Sequence, residues 1–304
     1  MSGLITKMLM FVVLMVIGYV FARRGSAGEG FARALSSLVI NVFMCATILN
    51  SVAATELSLS WAELGRVLLV VFAAIGLEYL LAALITRLLP IERRRRASFE
   101  LLMAVPNNMF IALPVLDALF GPTAVFYCGL SNIPFNLFLY TYGMWRMRNG
   151  EAGEHFRLKD ILSAPLIATI AAVVLFLTKL PLPQPLRELL STMAGATMPM
   201  SMIVIGASLS TVSLLEAFKN WRLYLSSFFK LIMAPLLVWL VCGLITDDPI
   251  LLASAALIAA SPSGVMVSVL TIQHGGDYVF ASEGVLHSTA LSMLTIPVIA
   301  FLIA

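Results

Sequence analysis

The stretch 104-AVPNNMFIALP-114 sits inside an apolar run long enough to cross a membrane, yet it carries Pro106, Asn107, Asn108 and Pro114 near its middle. Proline has no amide hydrogen and its ring clashes with the carbonyl four residues back, so Pro106 frees the carbonyl of Leu102. A carbonyl without a partner is costly in hydrocarbon, and such backbone survives only where protein buries it or where it lines a wet cavity. The pattern returns at 261-SPSG-264, where Pro262 frees the carbonyl of Ile258. How the rest of the chain is read turns on these two interruptions.

Hydrophobic residues make up 61% of the 304 positions and charged residues 12%, with a mean hydropathy of +1.00. That is more apolar surface than one soluble core can hide, so the composition implies an all-α protein embedded in a lipid bilayer. A net charge of +3, with the basic residues in short clusters between apolar runs, gives no footprint for nucleic acid. Cys45, Cys128 and Cys242 fall singly inside apolar runs and suggest neither a disulfide framework nor a metal site. The sixteen methionines show no paired spacing and read as lipid-facing and core filler. No cofactor is expected. The first apolar run has Arg23-Arg24 after it where a signal peptide would have a small-residue cleavage site, and it is expected to stay as a span.

Apolar runs of spanning length fall at about 4–22, 31–52, 63–89, 97–120, 122–145, 160–179, 186–211, 222–245, 249–273 and 278–303, which predicts ten helices. The longest polar link, 146–159, separates two halves of equal length, 1–145 and 160–304. Alternate links gather fourteen Lys and Arg, including Arg93–Arg96, against four on the other side, which places both termini outside and the 146–159 link in the cytoplasm. Five spans is an odd number, so a second half built like the first must enter the membrane upside down, as an inverted repeat. Pro106 and Pro262 lie 156 positions apart, while Gly121 and Gly276, Gly129 and Gly284, and Leu139 and Leu294 lie 155 apart.

The two interruptions then fall in spans 4 and 9, at corresponding depths. Asn and Ser are good caps for a helix that restarts after a break, and the restarted helices, from about Met109 and Val265, aim the positive ends of their dipoles at mid-membrane. The expected anion site comprises Pro106, Asn107, Asn108, Ser261, Pro262, Ser263 and Gly264. Ordinary proline kinks, with the amides bonding a neighbouring helix, are the plainer account of either break alone. Matching breaks in inverted halves favour the site.

These residues resemble a known pattern. 106-PNNMFIALPVLDALFG-121 is similar to the fourth helix of the auxin efflux carrier family of membrane transporters. 195-GATMPMSMIVIGASLS-210 resembles its seventh helix, 230-KLIMAPLL-237 its eighth, and 261-SPSGVMVSVLTIQHGGDYVFASEGVLHSTALSMLTIP-297 its ninth and tenth. The sequence departs from the pattern at Met109 and Ala112, where glycines are usual, and at Met44-Cys45, where a proline is usual. These departures bear on cavity size and on which substrates fit. The resemblance implies a five-plus-five fold like that of sodium/proton antiporters and bile-acid symporters, with helices 4 and 9 crossing at mid-membrane. It further implies a scaffold of helices 1, 2, 6 and 7 that often forms a homodimer, and a moving transport domain of helices 3–5 and 8–10. Family substrates are small organic anions, auxin in plants and carboxylates such as malate or malonate in bacteria. A secondary transporter of the plasma (bacterial inner) membrane is the expectation, not an enzyme.

Three further residues stand out. Glu78 in span 3 and Lys230 in span 8 lie roughly 12 to 15 Å from the cytoplasmic surface, and an intramembrane charge points to function by default. They are placed to pair, to switch partners during transport or to carry a coupled proton, with a snorkelling lysine and a neutral glutamate as the plainer account. His287 suits a proton carrier, a hydrogen-bond donor or a buried neutral histidine equally. Ser263 with His287 also raises an intramembrane serine protease, although Ser261 replaces the glycine and Pro262 precedes the nucleophile in the usual Gly-x-Ser-Gly arrangement. A receptor that binds without transporting uses the same pocket.

Overall fold

The computed structural model describes residues 2–24, 31–53, 60–148, 164–210 and 217–303. Among them there is no β-strand. The central part of the polar link, 149–159, lies outside the described residues, so the expected cytoplasmic linker is described only at Arg146–Arg148.

In chain order, α1 is Ser2–Arg23. Then α2, Phe31–Leu38, runs through a π-helical turn at Val39–Phe43 into α3, Met44–Ala53. Helix α4 is Trp61–Leu88. Helix α5, Arg93–Ala104, stops, and the chain restarts as a π turn, Asn108–Ala112, leading into α6, Leu113–Phe120. Helix α7, Pro122–Phe138, continues through a π turn, Leu139–Gly143, into α8, Met144–Met147. Helices α9, Ala164–Thr178, and α10, Gln184–Leu209, follow. Then α11, Trp221–Phe228, passes a π turn, Phe229–Met233, into α12, Ala234–Cys242. Finally come α13, Pro249–Ala260, α14, Met266–Gln273, and α15, Tyr278–Ile303.

Local signals account for several of these ends. Ser60 and Glu63 form a reciprocal capping box that opens α4, satisfying two of the amides a helix start leaves free. Asp248 accepts from the amides of Ile250 and Leu251 at 2.9 and 3.2 Å and, with Pro249 in the first turn, opens α13.

Among the described residues five helices are long and apolar enough to cross a membrane: Ala34–Ala53, Trp61–Leu88, Gln184–Ala207, Trp221–Cys242 and Tyr278–Ile303. Asn108–Phe120 and Pro249–Ala260 are apolar but short, because the proline interruptions cut the apolar runs at 97–120 and 249–273 in two. Leu80, Leu244 and Leu294 point outward and are well exposed, while Glu78, Glu100, Asn132, Asn136, Lys230 and His287 are buried. Apolar outside and polar inside is the arrangement of a chain whose solvent is hydrocarbon.

Helix α1 packs along α10, and a Cβ at Gly206 would run into the backbone carbonyl of Met15, so two backbones touch there. Thr47 of α3 and Thr197 of α10 share a hydrogen bond of 2.7 Å. Helix α4 lies against α5, α7, α12 and α13. Residues 105–108 and 261–264 of the two interruptions are all buried.

Candidate functional site

The chain leaves α5 in an extended conformation at Val105 and leaves α13 the same way at Ser261. The two extended segments meet antiparallel at Pro106 and Ser263. The Asn107 amide donates to the Pro262 carbonyl at 2.7 Å, and the Gly264 amide donates to the Val105 carbonyl at 2.9 Å. Each interruption thus supplies the partners that the other lost. A Cβ at Gly264 would lie 3.1 Å from the Pro106 carbonyl oxygen, so the close approach favours glycine.

Both carbonyls freed by the prolines are satisfied. The Ser263 hydroxyl donates to the Leu102 carbonyl at 2.5 Å. The Ser261 hydroxyl and amide donate to the Ile258 carbonyl at 2.7 and 3.2 Å. The Ser263 amide in turn donates to the Ser288 hydroxyl at 3.1 Å, tying the junction to α15. The sequence predicts Asn and Ser as caps of the restarted helices. Instead, Asn107 makes no side-chain cap, and the Ser263 hydroxyl goes to the opposite segment, because a freed carbonyl in the protein interior is the more demanding partner.

The two asparagines differ in what they do. The Asn107 carbonyl accepts from the amides of Ile111 and Ala112 at 3.2 and 3.3 Å and starts the π turn. Asn108 is 2% exposed, and its side-chain Nδ2 has no hydrogen-bond partner among the described residues. A buried amide donor without an acceptor is costly. Here it stands at the start of Asn108–Phe120, whose dipole adds partial positive charge.

Glu78 of α4 and Lys230 of the π turn form an ion pair, with both side chains fully buried. Tyr79 stacks on Phe138 at 5.3 Å and meets Tyr142 edge-on at 5.7 Å. His287 Nδ1 shares a hydrogen bond with the Ser227 hydroxyl at 2.8 Å, and its ring sits 4.8 Å from Phe218 and 4.5 Å from Tyr224. Neither His287 nor Ser263 bonds the other: Ser263 donates to Leu102 and His287 pairs with Ser227. The geometry therefore gives the protease reading no nucleophile and base pair.

A second buried carboxylate escaped the sequence reading. Glu100 of α5 is 1% exposed, receives Arg146 through a forked contact of 2.6 to 3.0 Å and accepts the Tyr142 hydroxyl at 2.5 Å. The signal was a single acid three residues into the apolar run at 97–120, masked by the four arginines before it. At the same end Arg95 pairs with Asp277 at 2.8 Å and Ser98 with Thr271 at 3.1 Å, joining the α5 side to the α14–α15 corner. Burial disfavours the Asp277 carboxylate, but the Arg95 hydrogen bond, the Phe280 amide and the charges of Arg95 and Arg94 outweigh it and hold its pKa below the usual aspartate value.

Helices α1, α6, α10 and α15 and the π turn before α6 enclose a cavity of about 30 Å³. Ile111 and Val115 wall it on one side and Thr289, Ser292 and Met293 of α15 on another. Met15 of α1 and Met202 of α10 close it. None of the junction residues 105–108 and 261–264 is among the residues that line it.

Residues 4–300 match the model of a family described as membrane transport protein. An uncharacterized transporter of Methanothermobacter thermautotrophicus is 24% identical over 286 residues, covering 94% of this chain and 93% of its own. An uncharacterized transporter of Methanocaldococcus jannaschii is 24% identical over 300 residues, covering 95% of each. With the match running over nearly the whole chain, the protein belongs to the membrane transport protein family, that of the auxin efflux carriers.

Proposed function

We propose that this membrane transporter is a secondary carrier that moves a small organic anion by alternating access around the junction of its two interrupted helices. The single observation that carries the reading is Asn108: a buried side-chain amide with a free donor, among the described residues, at the head of a helix. A carboxylate there gains that hydrogen bond and the helix dipole together.

The wider reading is ten spans in two inverted halves, 1–145 and 160–304, with spans 4 and 9 crossing at mid-membrane. The mutual backbone bonds at Pro106 and Ser263 support it, as does the single run of transporter similarity over the chain. On this reading spans 1, 2, 6 and 7 form the scaffold and the dimer contact, and spans 3–5 and 8–10 carry the substrate as an elevator in the plasma membrane. Asn107, Pro106, Ser261, Pro262, Ser263 and Gly264 shape the site around Asn108. The Glu78–Lys230 pair joins spans 3 and 8 inside the moving part, where it neutralises two charges that must cross together.

Proteoliposomes holding the purified chain test the function: uptake of labelled mono- and dicarboxylates is expected, and binding without any flux would leave a receptor instead. Reporter fusions at the N-terminus, after Ala304 and near Gly150 test the orientation, with the first two expected outside and the third inside. A cytoplasmic C-terminus would remove the inverted repeat.

A further inference from the structure

We infer that the arginine-bearing ends of α4, α5 and α11 form a binding site for the phosphate of an anionic membrane lipid, separate from the helix junction. Arg87, Arg93, Arg96 and Arg222 supply its cations.

Helix α5 packs against both α4 and α11. Arg96, in the first turn of α5, donates to the Thr86 carbonyl in the last turn of α4 at 3.4 Å. Arg222, in the first turn of α11, lies 3.7 Å from Glu92, the residue before α5. Arg93 stands one turn before Arg96, and Arg87 follows Thr86. Two neighbours are otherwise engaged: Arg95 pairs with Asp277, and Arg94 lends its charge to the same acid. Glu92 is shared between Arg222 and Arg95 at 3.7 and 3.8 Å, beyond hydrogen-bond reach of either. Positive charge is therefore in excess. The Nε atoms of Arg96 and Arg222 are both buried and have no hydrogen-bond partner among the described residues. Leaving buried guanidinium donors unused is costly, and phosphate oxygens match their planar fork.

The surroundings identify the phosphate as a lipid's. Leu80, Leu84 and Leu88 form an exposed stripe along α4 that ends beside Arg87. Trp221 and Phe228 form another along α11 that ends beside Arg222. Apolar stripes of this kind face acyl chains, which sets the arginines at headgroup level, where a tryptophan also belongs. The Arg222 guanidinium lies over the Trp221 ring, 5.4 Å from its centroid, so cation and interfacial ring form one feature. A soluble phosphate would gain the cations alone. A phospholipid gains the cations and both stripes.

Native mass spectrometry of the full chain, delipidated in detergent, tests the site. Phosphatidylglycerol is expected to bind about tenfold tighter, or more, than phosphatidylcholine with the same acyl chains. Arg96→Gln with Arg222→Gln is expected to remove that preference. Arg23→Gln with Arg24→Gln, which takes the same charge from the end of α1, is expected to preserve it. No preference in the wild type, or equal loss from both pairs, overturns the site and leaves only attraction by net charge. Displacement of phosphatidylglycerol by inorganic phosphate at equal concentration overturns the lipid as its ligand. If the Arg96 and Arg222 variant does not fold, Arg87→Gln with Arg93→Gln, both exposed side chains, decides in its place.

Discussion

The two interruptions look alike in sequence and are used differently. At 261–264 the polar groups serve the backbone: Ser261 answers Ile258, Ser263 answers Leu102, and the Ser263 amide finds Ser288. At 106–108 the backbone is served by the other segment, and the Asn108 amide is left with a donor that meets no acceptor among the described residues. One break fastens the junction and the other keeps a hand free. Paired helix breaks therefore need not be paired binding sites, and the side with the unsatisfied group is the side to test for substrate.

The largest effect is expected away from both breaks, and it calibrates them. Glu78→Gln leaves the Lys230 ammonium buried without its counter-charge, which costs about 3–5 kcal/mol, seen as a large drop in Tm in detergent. Adding Lys230→Met should recover most of it. Failure of the double variant to recover would mean that the pair also holds something else in place.

At the fastening break, Ser263→Ala orphans the Leu102 carbonyl and should lower stability by about 1–3 kcal/mol with little change in substrate affinity. The opposite pattern would erase the contrast between the two breaks.

Asn108→Ala is expected to behave in reverse. Losing one hydrogen bond to a charged group raises Kd by about tenfold or more, while the empty protein keeps or gains stability because an unsatisfied donor has been removed. Calorimetry with the carboxylates of the uptake panel and thermal melts of the same preparation separate the two readouts. Unchanged affinity would make Asn108 a packing residue.

The smallest effect belongs to the Arg95–Asp277 pair that ties the α5 side to α15. The folded-state pKa of Asp277 is depressed, so the contribution of the pair is present above the ordinary aspartate pKa and is lost as pH falls through the folded value. Solvent screening keeps that contribution under about 1 kcal/mol. A melt series from pH 6 downward should show this increment in the wild type and not in Asp277→Asn.

Much of this architecture was legible in the residues. Prolines inside apolar runs marked both interruptions, and the depths of Glu78 and Lys230 put them within reach of one another, because helix geometry converts residue count into depth. What was hidden is tertiary. Nothing local tells Ser263 to bond Leu102 across the junction instead of capping its own helix, since both need the same hydroxyl. Glu100 was lost beside Arg93–Arg96, as its true partner, Arg146, comes from a different helix. The π turns were equally out of sight, because 39-VINVF-43 and 229-FKLIM-233 carry no residue that forbids an ordinary turn.

One of those π turns has a historical reading. Pro106 precedes Pro262 by 156 positions, but Gly121 precedes Gly276 by 155, so the first segment holds one residue more than its counterpart. A π turn is what a helix makes of one inserted residue. Asn108–Ala112 is such a turn, whereas Met266–Gln273 is α-helical throughout. On the proposed repeat, two copies of one ancestral gene diverged by a single-codon insertion that was absorbed as a bulge beside the proposed substrate site. Deleting Met109 would then undo the event and should leave a chain that still elutes as a single species in detergent, while aggregation of that deletion would speak against it.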